Sequence, residues 1–140
     1  MLHFLSILSL FASLPASPAL PKKISLTVDI QNLRVSKGAV YVALFRSVKD
    51  FPEGKPADSK KVNVGAKSVQ ALFSVEPGDY AIAVYHDENG NGKMDKRMFG
   101  IPKEPYGFSN NFKPVMSAPK FGDCKFSVGD SGKAISIKLI

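Results

Sequence analysis

The chain is a succession of short strand-like segments separated by glycine and proline turns, and no segment keeps a helical period. In residues 24–30 the apolar residues Ile24, Leu26, Val28 and Ile30 alternate with polar ones, as in a strand with one buried face. Six further segments are predicted strands, at residues 38–45, 60–64, 68–75, 80–86, 121–128 and 134–139. Seven short strands in 140 residues predict an all-β protein, a seven-stranded antiparallel β-sandwich.

The first residues have the composition of an export signal. Residues 2–14 are almost entirely apolar and precede the small-residue stretch 16–19. The N-terminal end departs from the usual signal pattern because it has His3 but no Lys or Arg. The apolar run is too short to cross a bilayer comfortably, which argues against a transmembrane anchor. We predict a signal peptide over residues 1–19, a single domain over 20–140, and a periplasmic or secreted protein. The alternative is a buried N-terminal helix.

The formal charge of +7 does not predict a nucleic-acid binder. Only Arg34, Arg46 and Arg97 among the 19 basic residues are arginine, the residue suited to bidentate recognition of bases and phosphates. The lysines are scattered along the chain, which is typical of a solvated surface, so we expect no specific nucleic-acid partner. Cys124 is the single cysteine, excludes an intrachain disulfide, and is predicted to be a small core residue.

One acidic stretch follows the spacing of a calcium loop. Asp87, Asn89, Asn91, Gly92 and Asp95 occupy positions 1, 3, 5, 6 and 9, where oxygen ligands alternate around a hard cation and glycine permits the sharp turn. Position 7 supplies a backbone carbonyl, so Lys93 fits there. The predicted ligands of a calcium-type ion are therefore Asp87, Asn89, Asn91, Lys93 and Asp95.

The same stretch lacks the last ligand of the pattern. Position 12 is Met98 instead of a bidentate Glu, which predicts a weak or structural ion whose shell Glu88, Glu104 or a water would complete. The alternative is an Asn/Gly-rich turn without metal, in which Asp87 and Asn89 cap their own backbone.

A long irregular segment, Phe99–Lys120, follows the loop and is predicted to be functional or self-packed. Its Tyr106, Phe108, Asn110 and Asn111 have rings for stacking on a sugar and amides for hydrogen bonding. The alternative is that the rings fold back and plug one end of the sandwich.

His86 is a further candidate binding residue. It continues the alternation of the strand before it, which also fits a packed strand-end histidine. With Asp87 and Glu104 it would form a hydrolase site if the three groups converge in a cleft.

Long motifs resemble a known family. They are the run 77–95, which contains the loop, the run 99–111 after it, and Lys37–Phe45 near the start. Together they resemble the bacterial exported domain-of-unknown-function family numbered 2141. The resemblance implies a transthyretin-like or immunoglobulin-like sandwich with no established activity. More distantly, the loop is similar to the calcium loop of bacterial surface B-type repeats, which implies the same ligands.

These observations predict an exported, non-enzymatic binding or accessory module of the cell envelope, with a calcium-type loop stabilising one end. The expected partner is a glycan, a peptide or another envelope protein, and the expected state is a monomer. A cell-envelope hydrolase using His86, Asp87 and Glu104 is one alternative hypothesis. A metal-free structural domain is the other.

Overall fold

The computed structural model describes residues 13–97 and 100–140. Most of the predicted signal peptide, together with Met98 and Phe99, lies outside the described residues. The elements in chain order are β1 (Ile24–Gln31), β2 (Ala39–Phe45), β3 (Asp58–Asn63), β4 (Val69–Val75), β5 (Gly78–Asp87), β6 (Tyr106–Phe108), α1 (Phe121–Cys124), β7 (Phe126–Val128) and β8 (Lys133–Lys138).

Two sheets pack face to face, which confirms the predicted all-β sandwich. The smaller sheet has the order β4-β1-β8, and the larger has the order β3-β2-β5-β6, with β7 pairing with the start of β5. The pairs are antiparallel except β1 with β8, which run parallel. The described residues thus contain eight strands, not the predicted seven, and the sandwich is not purely antiparallel.

Two segments differ from the sequence prediction. The predicted strand 121–128 begins instead with the helical turn α1, because the Asp123 carboxylate accepts a hydrogen bond from the Lys120 backbone N–H at 2.9 Å and closes a turn there. Only Phe126–Val128 is extended. The additional strand β6 has three residues, too few to give an alternating pattern, and exists because its backbone pairs with β5.

The main core lies between the two sheets and uses the alternate residues of the central strands. Leu26, Val28 and Ile30 of β1 face Val42 and other apolar residues of the larger sheet, all fully buried. At one edge Tyr80 donates its hydroxyl to the Glu76 carbonyl at 2.7 Å, which satisfies the one polar atom of a buried ring. Apolar residues therefore fill the inner face of the larger sheet.

A second, smaller core covers part of the outer face of the larger sheet. This phenylalanine cluster consists of Phe45, Phe51, Ala81, Phe121 and Cys124. Phe51 contacts Phe45 and Phe121 edge to face, with ring centroids 5.3 and 6.1 Å apart. Cys124 is fully buried there, as predicted for a core residue. The rest of the outer face lies between this cluster and Asp87 at the end of β5, and that open half carries the candidate site.

Candidate functional site

The loop after β5 wraps around the carboxylate of Asp87. Asp87 is 1% exposed, and its Oδ1 accepts backbone hydrogen bonds from Gly90 at 2.9 Å and Asn91 at 3.2 Å. Its Oδ2 accepts one from the backbone of Gly92 at 2.8 Å. Gly90 and Gly92 have φ of 73° and 74°, values that side-chain-bearing residues rarely adopt, so glycine at these positions permits the turn. Asp87 therefore nucleates the loop.

The other loop carboxylate, Asp95, is held by the two asparagines. Asn89 Nδ2 donates to it at 2.6 Å, and Asn91 Nδ2 lies 2.9 and 3.0 Å from its two oxygens. These hydrogen bonds, first from Asn91 and then from Asn89, lower the pKa of Asp95 below its ordinary value. The structure thus brings four predicted ligands, Asp87, Asn89, Asn91 and Asp95, into one turn. The fifth predicted ligand is the backbone carbonyl of Lys93, whose side chain is exposed.

The side-chain oxygens of the loop could hold a hard cation only if the two asparagine amides changed their orientation. Two carboxylates and two amides are oxygen ligands of the type that calcium takes. Both amides, however, direct nitrogen toward Asp95, while their oxygens accept backbone N–H groups of Asn91 and Lys93. A cation beside Asp95 would require those amide oxygens to turn inward. Within residues 13–97 and 100–140, no group of three or more His, Cys, Asp or Glu side chains is placed to hold a metal ion.

Glu104 fastens the two ends of the loop. The residue is 6% exposed, and its Oε1 accepts the backbone N–H of Glu88 at 3.1 Å while its Oε2 accepts that of Asp95 at 3.2 Å. Both carboxylate oxygens are thus committed to the backbone. Glu104 therefore holds the loop closed.

His86 lies on the inward face of β5 and is fully buried. Its Nε2 is 2.7 Å from the Lys37 carbonyl, which can only accept, so Nε2 carries the proton. Its Nδ1 has no hydrogen-bond partner among the described residues and lies 3.9 Å from Glu88 Oε1. Asp87, the next residue on the strand, points to the opposite face. His86, Asp87 and Glu104 therefore do not converge in a cleft, and the geometry gives the hydrolase hypothesis no support.

Asn110 and Asn111 hold neighbouring backbone segments in place through their side-chain amides. Both have positive φ, 63° and 50°, in a tight 3-10 turn after β6. Asn110 donates to the Lys125 carbonyl at 2.9 Å, and Asn111 accepts the Lys138 N–H at 2.8 Å. The preceding Ser109 is fully buried and its hydroxyl accepts the Ile82 N–H at 2.9 Å. This turn ties β6 to both sheets.

The open half of the outer face is built from two cross-strand rows. Strand register places Tyr41, Tyr85 and Tyr106 side by side on β2, β5 and β6, with Lys61 of β3 at the end of the row. The next row carries small residues in its middle and a ring at one end, in the order Ser59, Ala43, Ala83, Phe108. Because the small side chains lie between larger ones, they form the floor of a depression.

Loops turn this depression into a groove of about 960 Å³. The walls come from Pro52 and Glu53 before β3, from Met94, Lys96 and residues 100–102, and from Pro114 and residues 116–119. The lining is mainly apolar, with the tyrosine and serine hydroxyls and the Glu53–Lys96 ion pair as its polar groups. Its size and its mixture of apolar surface with few polar groups are those of small-molecule sites.

The groove contacts the calcium-type loop through the tyrosine row. Tyr41 and Tyr85 stack with centroids 5.0 Å apart and planes 5° from parallel. The Tyr85 hydroxyl is 3.5 Å from the Gly92 carbonyl. Burial, and next the nearby Tyr41, Asp87 and Glu104, raise the pKa of Tyr85. The loop therefore borders one end of the groove, where Tyr85 and Met94 line it.

Of the residues predicted to bind a ligand, Tyr106 and Phe108 line this groove, whereas His86, Glu104, Asn110 and Asn111 do not. Sequence reasoning missed Tyr41, Ala43, Ala83 and Tyr85. A signal for them exists, since tyrosine and alanine occupy the outward positions of two strands where a solvated face would carry charged residues.

Fold and site together define a small β-sandwich domain with an apolar groove on the outer face of its larger sheet. The family of uncharacterized proteins conserved in bacteria, DUF2141, matches residues 28–136. The chain belongs to this family, as the resemblance in its sequence predicted. No curated protein and no solved structure matches it.

Proposed function

We propose that the protein is an exported, non-enzymatic binding module whose ligand occupies the groove over Ala43 and Ala83. The observation that supports this function is the groove itself, about 960 Å³ of mainly apolar space walled by three loops on a rigid sheet. Rigid strands place the tyrosine row, so the site needs little ordering when a ligand binds. A glycan, a peptide or an envelope protein as the partner stays a prediction.

In this proposal the loop at Asp87–Asp95 fixes the end wall of the groove. A calcium-type ion held by Asp87, Asn89, Asn91, the Lys93 carbonyl and Asp95 would stiffen that wall. The support is the ligand spacing and the clustering of four of these side chains around one turn.

Export rests on the apolar run and the small residues of positions 1–19. Leu14 is 90% exposed, which also fits a leader separate from the folded domain. The part of the chain that the structure describes contains no helix long and apolar enough to cross a membrane. Mass measurement of the protein recovered from a bacterial envelope tests removal of the leader.

The groove is tested with anilinonaphthalene sulfonate, a fluorescent probe of apolar sites. We expect saturable binding of one probe molecule, abolished in Ala83→Leu, whose larger side chain fills the floor. Leu72→Ser is the matched control, because Leu72 is 62% exposed on the other sheet and is not part of the groove. Equal probe binding by wild type and Ala83→Leu, with both folded by circular dichroism, would contradict the proposal.

The ion is tested separately by thermal melting with calcium and with a chelator. Binding at ten to a hundred times the dissociation constant should stabilise the fold by about 1–3 kcal/mol. Asp95→Asn should remove that shift and leave the fold intact, since the Asp95 side chain makes only exposed contacts, with Asn89 and Asn91. Asp87 is a poor test residue because its loss disrupts the loop with or without an ion. An unchanged melting midpoint in calcium removes the ion from the proposal.

A further inference from the structure

Exposed apolar side chains surround the mouth of the groove. Ile101 and Met116 line it and are 56% and 103% exposed, and Val115, next to Met116, is 79% exposed. Met116 also has a φ of 62°, an uncommon value for a residue with a side chain. Exposed apolar groups clustered beside an apolar groove mark a surface that an apolar ligand or an interface covers.

The charges at the mouth favour an anion. Lys96 lines the groove and pairs with Glu53 at 3.4 Å, but this pair joins two loops in solvent, with side-chain exposures of 46% and 75%. Such an exposed pair contributes little stability, so another carboxylate can replace Glu53 as the partner of Lys96. Lys61 does not line the groove but lies beside it at the end of the tyrosine row, where its ammonium group is 5.6 Å from the centre of the Tyr41 ring.

Neighbouring groups cover part of the aromatic ring surface in the groove. Tyr41 has Tyr85 against one side and the Lys61 ammonium over its ring from the neighbouring strand on the other. Tyr106 and Phe108 pack edge to face, with centroids 5.9 Å apart. A sugar ring stacks on an open aromatic face, whereas a flexible aliphatic chain packs equally well against ring edges, methyl groups and prolines.

We propose that the groove binds a single-chain anionic amphiphile, a long-chain fatty acid. The aliphatic chain lies along the floor formed by Ala43 and Ala83, and the carboxylate lies at the mouth between Lys96 and Lys61. The exposed Ile101, Val115 and Met116 cover the part of the chain near the mouth. This inference rests on the proposed function, because it names the ligand class of the same groove.

The direct test is isothermal calorimetry with dodecanoate, which is a fatty acid soluble enough to titrate. The comparison ligand is dodecyltrimethylammonium, which has a chain of the same length and the opposite charge. We expect one dodecanoate per protein, bound at least about tenfold more tightly than the cationic analogue, with an unchanged circular dichroism spectrum. Ala83→Leu should abolish binding of both.

Two charge variants should move the affinity in opposite directions. Lys96→Gln removes the cation at the mouth and should weaken dodecanoate binding about tenfold. Glu53→Gln removes the competing carboxylate and should tighten it several-fold. Lys133→Gln is the matched control: it removes the same charge from the smaller sheet and should leave the affinity unchanged.

The possible outcomes separate the two proposals. Equal affinity for the two amphiphiles, or equal effects of Lys96→Gln and Lys133→Gln, overturns the anionic assignment. Binding of the naphthalene probe that Ala83→Leu abolishes, combined with no dodecanoate binding, overturns the fatty acid and leaves the groove as a ligand site. Binding of a soluble oligosaccharide or a peptide in the groove, without binding of dodecanoate, likewise overturns the fatty acid and leaves the groove as a ligand site. If neither the probe nor dodecanoate binds, both proposals fail.

Discussion

The outer face of the larger sheet has two halves that differ in their aromatic residues. One half carries Phe45 of β2, which Phe51 of the β2–β3 connection and the helical turn α1 cover to form the cluster with Cys124. The other half carries the row Tyr41, Tyr85 and Tyr106, which stays partly exposed along the groove. Phenylalanine has no polar atom and gains from complete burial, whereas tyrosine combines an apolar ring with a hydroxyl that must reach water or a partner. Apart from Phe108, whose ring contacts both Phe51 and Tyr106, the choice of ring thus separates the packed half of the face from the open one.

The largest expected difference between the halves is in stability. Phe51→Ala removes a ring that contacts Phe45, Phe108 and Phe121, and should lower the free energy of unfolding by about 3–5 kcal/mol. Tyr106→Ala, in the open half, should cost about 1 kcal/mol, because its partly exposed ring leaves a smaller cavity. Urea denaturation followed by circular dichroism measures both. Similar losses in the two variants would show that the open half is as tightly packed as the covered one.

A second contrast lies within the loop that closes the open half. Asp87→Ala leaves the Gly90 and Gly92 N–H groups without an acceptor and that of Asn91 with Asn89 Oδ1 alone, and should cost about 2–3 kcal/mol. Asp95→Ala should cost clearly less than Asp87→Ala, since the partners of the Asp95 carboxylate are exposed asparagine amides. Asp87→Asn, which keeps one acceptor oxygen, should fall between them. The measurement is urea denaturation in chelator, and equal costs for Asp87→Ala and Asp95→Ala would contradict the nucleating role of Asp87.

The sequence predicted the loop better than the groove, for a physical reason. The loop residues are contiguous, so their spacing alone predicted that Asp87, Asn89, Asn91 and Asp95 meet. The central strands were predictable because each has a strong period-two pattern. The groove depends instead on the register between three strands, which sets Tyr41 beside Tyr85 and Ala43 beside Ala83. Register is a long-range property, and a strand as short as β6 leaves no pattern of its own.

The covered half also makes a chemical prediction about its thiol. Burial, and next the charge of Asp123, raise the pKa of Cys124 to about 12. At pH 8 the native thiol should therefore be almost entirely protonated and should not react with iodoacetamide, whereas the urea-unfolded chain should react fully. Mass spectrometry of the labelled protein measures this. Phe51→Ala, which opens the same cluster, should increase native labelling, and rapid labelling of the folded wild type would show that the cluster is not closed.

The smallest expected effect is the pH dependence of folding stability that the Asp95 carboxyl causes in the open half. Its pKa in the folded protein is below the ordinary value of 3.8, so the folded state favours the ionised carboxylate. The stability that this carboxylate contributes is present above the pKa of Asp95 in the unfolded chain. It is lost as the pH falls through the lower pKa of Asp95 in the folded protein. Titration of the Asp95 carboxyl by NMR should show the lowered midpoint directly. Asn91→Ala should raise that midpoint more than Asn89→Ala, because Asn91 is the larger cause. An Asp95 midpoint at or above 3.8 in the wild type would show that its hydrogen bonds to the asparagines do not persist in solution.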